Sequence, residues 1–164
     1  MMRGITKAII TSAVLCAIIL GSCDSGYDCS IENTAYNKIG FYNIDEENNE
    51  KEYRFPDVLT VSLTVNGKDS IVVNHITGAS GLKLPMSYTG TCDTIVFSYV
   101  NSATDTLFVN HENIPYFVSM ECGTAMYHRL TGIRHTGAFI DSAAIVNDYV
   151  NFDYNENIKL YLVQ

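Results

Sequence analysis

The sequence predicts an all-β domain, an antiparallel β-sandwich or Greek-key barrel, on three observations. Val, Ile, Thr, Tyr and Phe dominate the chain beyond its first two dozen residues, and the whole sequence holds 11 Tyr, 7 Phe, 3 Pro and no Trp, a composition that favours pleated, half-buried strands over helices. Short runs of alternating polarity recur at hairpin spacing between turn residues, the pattern of packed antiparallel sheets. After the N-terminal stretch, no segment carries the apolar period of an amphipathic helix.

Residues 1–23 precede the domain. Arg3 and Lys7 lead into an apolar run from Ala8 to Leu20, and Leu20-Gly21-Ser22-Cys23 follows. A basic start, about a dozen apolar residues and a small-residue cleavage site describe a secretory signal, too short to span a bilayer core that needs ~20. The last four residues resemble the bacterial lipoprotein signal, in which a cysteine thiol is alkylated by diacylglycerol and the peptidase cuts in front of it. Residues 1–22 are thus expected to be removed and Cys23 to be lipidated. Two or three acyl chains would then hold the protein to a membrane, each buried CH₂ contributing ~0.8 kcal/mol. Polar residues 23–37 read as a short lipidated tether, and residues 38–164 as a single β domain, since the 142 residues left after cleavage suffice for one core.

Within the domain, Ile39, Phe41 and Ile44 mark a first strand, followed by an acidic run over residues 45–52. That run lacks the alternating oxygen ligands and central Gly of a calcium loop, so it reads as a solvated hairpin loop. Leu59, Val61, Leu63 and Val65 share one face of the clearest strand, and Thr60, Ser62 and Thr64 share the other. Asn66-Gly67 then turns the chain and Ile71 to Val73 returns. Leu82-Lys83-Leu84-Pro85 is a short edge strand, because Pro removes a ladder donor. Residues 94–100 are apolar on both faces and should lie centrally, with residues 106–110 pairing back as a second hairpin. Residues 116–122 form a further strand ended by Gly123. Residues 126–135 and 139–150 are less regular, the second with room for a helical turn around Ala143 and Ala144. Ile158, Leu160 and Leu162 face inward from a closing strand. Roughly eight to ten short strands make the sandwich immunoglobulin-like in kind.

Charge and cysteine usage narrow the partners. Arg3 and Lys7 leave with the signal, two of 10 basic residues against 18 acidic ones, so the formal charge falls from −8 to −10. Such a surface repels nucleic acid and anionic headgroups, which leaves the N-terminal lipid as the membrane attachment. Among the cysteines, Cys29, Cys92 and Cys122 remain for an oxidising compartment. Pairing Cys29 with Cys122 would clamp the N-terminal arm to a late strand and leave Cys92 as a buried free thiol. Three buried reduced cysteines are the alternative.

From the lipobox through Cys29, Leu82-Lys83-Leu84-Pro85, Cys122-Gly123 and Ile158-Lys159-Leu160-Tyr161, the chain resembles a family of small Bacteroidota lipoproteins that carry a domain of unknown function. The resemblance implies an outer-membrane lipoprotein, on the periplasmic or surface face, and transfers no catalytic residue. Four triplets, Asp69-Ser70-Ile71, Asp93-Thr94-Ile95, Asp105-Thr106-Leu107 and Asp141-Ser142-Ala143, resemble the acceptor sequence for O-glycosylation of exported proteins of that group. Ser70, Thr94, Thr106 and Ser142 would be the acceptors. Composition alone gives roughly one such triplet, yet Asp closing a turn before a strand caps local N–H groups and explains the same text.

No pattern points to catalysis, a metal or a cofactor. His75, His111, His128 and His135 lack the close spacing of zinc ligands, and His128 and His135, seven apart, fall on opposite faces of one continuous strand. Gly78-Ala79-Ser80-Gly81 has the wrong spacing for a nucleophile elbow. Cys122 with His128 could form a thiol-imidazole pair, but a cysteine on an alternating strand is more often packed or bridged. The sequence therefore predicts no enzyme but a binding or accessory module of the envelope with an envelope protein as partner, its edge strands supplying the surface. A structural subunit of a pilin-like appendage and, further off, a glycan-directed hydrolase are the alternatives.

Overall fold

The computed structural model describes residues 34–55, 58–65, 68–99, 104–153 and 155–163. Eleven strands follow in order: β1 (Tyr36–Ile44), β2 (Glu50–Glu52), β3 (Leu59–Val65), β4 (Lys68–Ile76), β5 (Gly81–Pro85), β6 (Cys92–Tyr99), β7 (Thr104–Ser119), β8 (Gly123–His135), β9 (Ile140–Ile145), β10 (Tyr149–Val150) and β11 (Ile158–Leu162). They form two sheets. One runs β10-β8-β7-β6-β3-β4; the other runs β2-β1-β11-β9, with β5 also on β1. The fold is all-β, and the sheets do not close into a barrel, so the sandwich is the architecture. The named strands pair antiparallel except β1 and β11, which run parallel.

Alternation along each strand builds the core. Leu59, Val61 and Leu63 of β3, Ile95 and Phe97 of β6, and Leu107 and Val109 of β7 are buried. So are Ile39 and Phe41 of β1, Leu82 and Leu84 of β5, and Ile158, Leu160 and Leu162 of β11. Each such side chain contributes ~1.5–3 kcal/mol on burial. Phe41 meets Phe55 edge-on at 4.8 Å and Phe97 at 6.3 Å, locking β1 across the sandwich. Opposite Phe97 on the neighbouring strand, Asp105 is also fully buried. Its carboxylate accepts hydrogen bonds from Thr136 Oγ1 (3.1 Å) and the backbone N–H groups of Ala138 (2.8 Å), Phe139 (2.5 Å) and Ile140 (2.9 Å). That fixes the crossing from β8 to β9.

Several expectations are corrected. β7 is one strand that runs straight through Pro115 to Ser119. Proline is tolerated there because β6 pairs β7 only as far as Asn110, which leaves an unpaired edge beyond. The chain then turns at Met120–Cys122, and Gly123, at φ 72°, opens a regular β8 rather than ending a strand. The helical turn at Ala143 and Ala144 is instead strand β9, held by pairing of these residues with Leu160 and Lys159. Residues 34–37 belong to the folded body: Ala35 and Asn37 are buried and Tyr36 opens β1. Cys92 is exposed, since the alternation that buries Asp93, Ile95 and Phe97 turns it outward. His128 lies opposite Asn113 and His135 opposite Leu107, and the register slips by one residue between them. The extra residue puts both histidines on one face. Val65 pairs with Lys68, so two residues join β3 to β4; Asn66 and Gly67 themselves lie outside the described residues.

Candidate functional site

The solvent face of the β1 sheet carries a groove made by strand handover. β2 and β5 share one long edge of β1, end to end. The change occurs at Phe41, whose N–H donates to Ser80 O at 2.9 Å while its carbonyl accepts from Tyr53 N–H at 2.8 Å. Three cross-strand pairs face outward around that point: Lys38 opposite Lys83, Gly40 opposite Gly81, and Tyr42 opposite Glu52. Successive rungs on one face lie ~7 Å apart. A Cβ on Gly40 would fall onto the Glu156 carboxylate and 2.7 Å from the Tyr42 ring, and one on Gly81 2.8 Å from Ile39 O. The middle rung must therefore be bare backbone. An open groove of about 360 Å³ results, with two amines at one end and a phenol with two carboxylates at the other.

Glu156 is placed over the groove by its neighbour. Asn157, nearly fully buried, accepts from Lys38 N–H at 3.1 Å and donates to the carbonyls of Asn147 (3.2 Å) and Tyr149 (3.1 Å). Its own N–H donates to Lys38 O at 2.8 Å. The Tyr42 hydroxyl donates to the Glu156 carboxylate at 3.1 and 3.2 Å. Burial and then this bond raise the Tyr42 pKa. Lys159 sits 4.5 Å from the Tyr42 ring centroid and pairs with Glu50, which also accepts from the Tyr161 hydroxyl at 2.7 Å. The Lys159 bond and then the Tyr161 bond hold the Glu50 carboxyl below its usual range. At the other end, burial and then the nearby Lys83 charge lower the Lys38 pKa. An anionic group between the two amines would relieve that repulsion.

A second polar cluster lies inside the sandwich. His111 and His128 are buried edge-to-face at 5.1 Å, with Asp93 buried beside them. Asp93 Oδ2 approaches His111 Nε2 at 3.4 Å without hydrogen-bond alignment, and both Asp93 oxygens accept from Ser87 N–H at 3.2 Å. His128 Nδ1 bonds Asn113 Oδ1 at 2.8 Å, while its Nε2 and both ring nitrogens of His111 find no hydrogen-bond partner among the described residues. Burial, then His111, pushes the His128 pKa down to about 4, so the ring is neutral at pH 7. A cavity of about 230 Å³ that Asp93, Ser87 and Tyr88 help to line opens alongside. Among the described residues, no three His, Cys, Asp or Glu side chains converge as a metal site.

The residues singled out from sequence scatter over the fold. Cys23 and Cys29 lie outside the described residues. Cys122 is disulfide-bonded, so it has no thiol to offer His128. Ser70 and Ser142 are exposed on β4 and β9, whereas Thr94 and Thr106 are half-buried on central strands. Their preceding residues, Asp93 and Asp105, are buried acceptors of backbone N–H groups, which accounts for those two triplets structurally. The groove itself was not anticipated. Its signal was a glycine inside a strand pattern, Gly40, which marks a close approach; the opposing Gly81 and the handover are set by tertiary pairing. The model of a family of unknown function, DUF6452, matches residues 58–162. No curated protein and no solved structure matches the chain.

Proposed function

Since the chain belongs to the DUF6452 family, whose function is unknown, we propose that it is a lipid-anchored, non-enzymatic binding module of the cell envelope. In this reading it is an outer-membrane lipoprotein of the Bacteroidota kind, attached through Cys23. It binds in the β1 groove a glycan of an envelope partner that carries one acidic group among neutral sugars. The Gly40–Gly81 rung carries the proposal: Tyr42 and Glu156 cover Gly40, while exposed Gly81 leaves a ledge of bare backbone against which a flat ring can lie, between amines suited to a carboxylate or phosphate and acceptors suited to hydroxyls. A chain this acidic repels a polyanion, which restricts the acidic groups to few. Cys29–Cys122 remains the disulfide assigned to this reading, and exposed Ser70 and Ser142 the better-placed acceptors for O-glycosylation.

Two measurements test it. Replacing Cys23 with Ala should move the protein from the membrane to the soluble fraction, and retention in the membrane sinks the anchor. Calorimetric titration of the full chain with uronate-containing and neutral oligosaccharides should show binding of the acidic ones alone. Lys83→Ala should weaken that binding at least about tenfold, as loss of a charged hydrogen bond does, with the strand content by circular dichroism unchanged. Equal binding of both sugar sets, or none, overturns the groove's role. The alternative of an appendage subunit rests on the outer edge of β4; two register shifts against β3, each placing an extra residue in β4, twist and blunt that edge.

A further inference from the structure

We propose that the tip of the β7–β8 hairpin is a membrane-contacting element that dips into the lipid interface. Tyr116, Phe117 and Met120 are 45%, 60% and 86% exposed. Tyr116 and Phe117 are neighbours on one strand and therefore point to opposite faces of the hairpin. A surface shaped for a protein groove would be apolar on one face; a tip with apolar side chains on both faces fits an isotropic medium. Behind it, Tyr116 stacks on Tyr127 at 4.5 Å, and Tyr127 meets Tyr149 at 5.7 Å and Phe152 at 4.9 Å, both edge-on. Such tyrosine clusters suit the headgroup layer, where one end of the ring is apolar and the other wet.

The first described residue lies beside this tip. Thr34 pairs with Met126, three positions from Gly123, where β8 leaves the tip. Ten residues lie between Cys23 and Thr34, and the eleven steps reach at most roughly 40 Å. This step rests on the lipoprotein reading. Insertion is shallow, because Glu121 adjoins Met120 and its carboxyl is held below the usual range, first by its own backbone N–H and then by Ser119. It stays ionised among the headgroups. The acidic domain makes a zwitterionic bilayer the fitting surface.

The chain contains no Trp, so Phe117→Trp supplies a single reporter. The full acylated protein carrying it is reconstituted into phosphatidylcholine vesicles with and without brominated acyl chains. The expected result is blue-shifted emission, most of it quenched by the brominated lipid, while the same protein with Ile71→Trp on β4 in place of that change is unquenched. Met120→Trp repeats the test should the first variant fold poorly. Vesicle-bound protein whose emission at 117 and 120 is as unquenched as at 71 overturns the tip's role. Failure of the acylated protein to float with vesicles at all instead overturns the anchor, which separates the two ideas.

Discussion

Asp105 and the His111–His128 pair are both buried and polar, Asp105 and His111 carried inward by β7 and His128 by β8, yet they are opposites. Asp105 and His111 stand on the same face, roughly 20 Å apart along the strand. The carboxylate accepts four hydrogen bonds from the 136–140 crossing. The imidazoles leave three ring nitrogens without a hydrogen-bond partner among the described residues, and Asp93 beside them lines a cavity. A saturated buried charge welds two elements together. An under-satisfied buried pair holds its place through packing and becomes a point where proton concentration acts on stability.

Removing Asp105 tests the first half of that contrast and carries the largest effect. Asp105→Ala leaves the buried Ile140 N–H and the half-buried N–H groups of Ala138 and Phe139 without an acceptor, a loss of ~2–4 kcal/mol in all. Urea titration should show a midpoint lowered accordingly, with β9 amides losing hydrogen-exchange protection first. A loss under ~1 kcal/mol would mean that water replaces the carboxylate. Tyr99 gives a companion readout. Burial, then the Asp105 charge, raises its phenol above the ordinary range, so Asp105→Ala should lower the Tyr99 titration midpoint.

The histidine pair sharpens the other half through pH. His128 has its pKa lowered to about 4 from 6.5, so between those values the unfolded chain binds more protons than the folded one. Its stabilising contribution is complete above pH 6.5 and is lost as pH falls towards 4, amounting to at most about 3 kcal/mol. His128→Leu removes the titration. It should change stability by less than ~1.5 kcal/mol at pH 7 and leave the variant more stable than the parent at pH 4.5, measured by urea midpoints at both pH values. Parallel pH profiles for the two proteins would remove His128 from the acid response.

How far the sequence reveals all this follows from the same contrast. Period-two alternation reads core faces directly, as in β3, β6 and β11, because side-chain direction is a local property. Pairing partners are not local: the parallel contact of β1 with β11 joins residues over a hundred positions apart, and nothing in either segment names the other. The bulge that realigns His128 with His135 is likewise set by the partner strand. Asp105 reads as turn punctuation before Thr106, and its burial depends on a loop some thirty residues on. Gly40 announces a tight spot without saying what lies against it.

On the open surface the effects are smallest and run in the other direction. Lys38 and Lys83 are opposed across β1 and β5, and like charges directly opposite destabilise a sheet, whereas opposite charges contribute ~0.2–1 kcal/mol. Lys83→Glu should therefore raise the urea midpoint slightly at low salt, an increment that fades as salt screens the pair. The same change should abolish binding of acidic oligosaccharide, because it puts a carboxylate where the ligand's own must sit. Stability gained together with binding lost is the mark of a surface kept for a ligand rather than for the fold. If Lys83→Glu destabilises the protein at low salt, the amines serve the sheet, and the groove loses its claim to be a site.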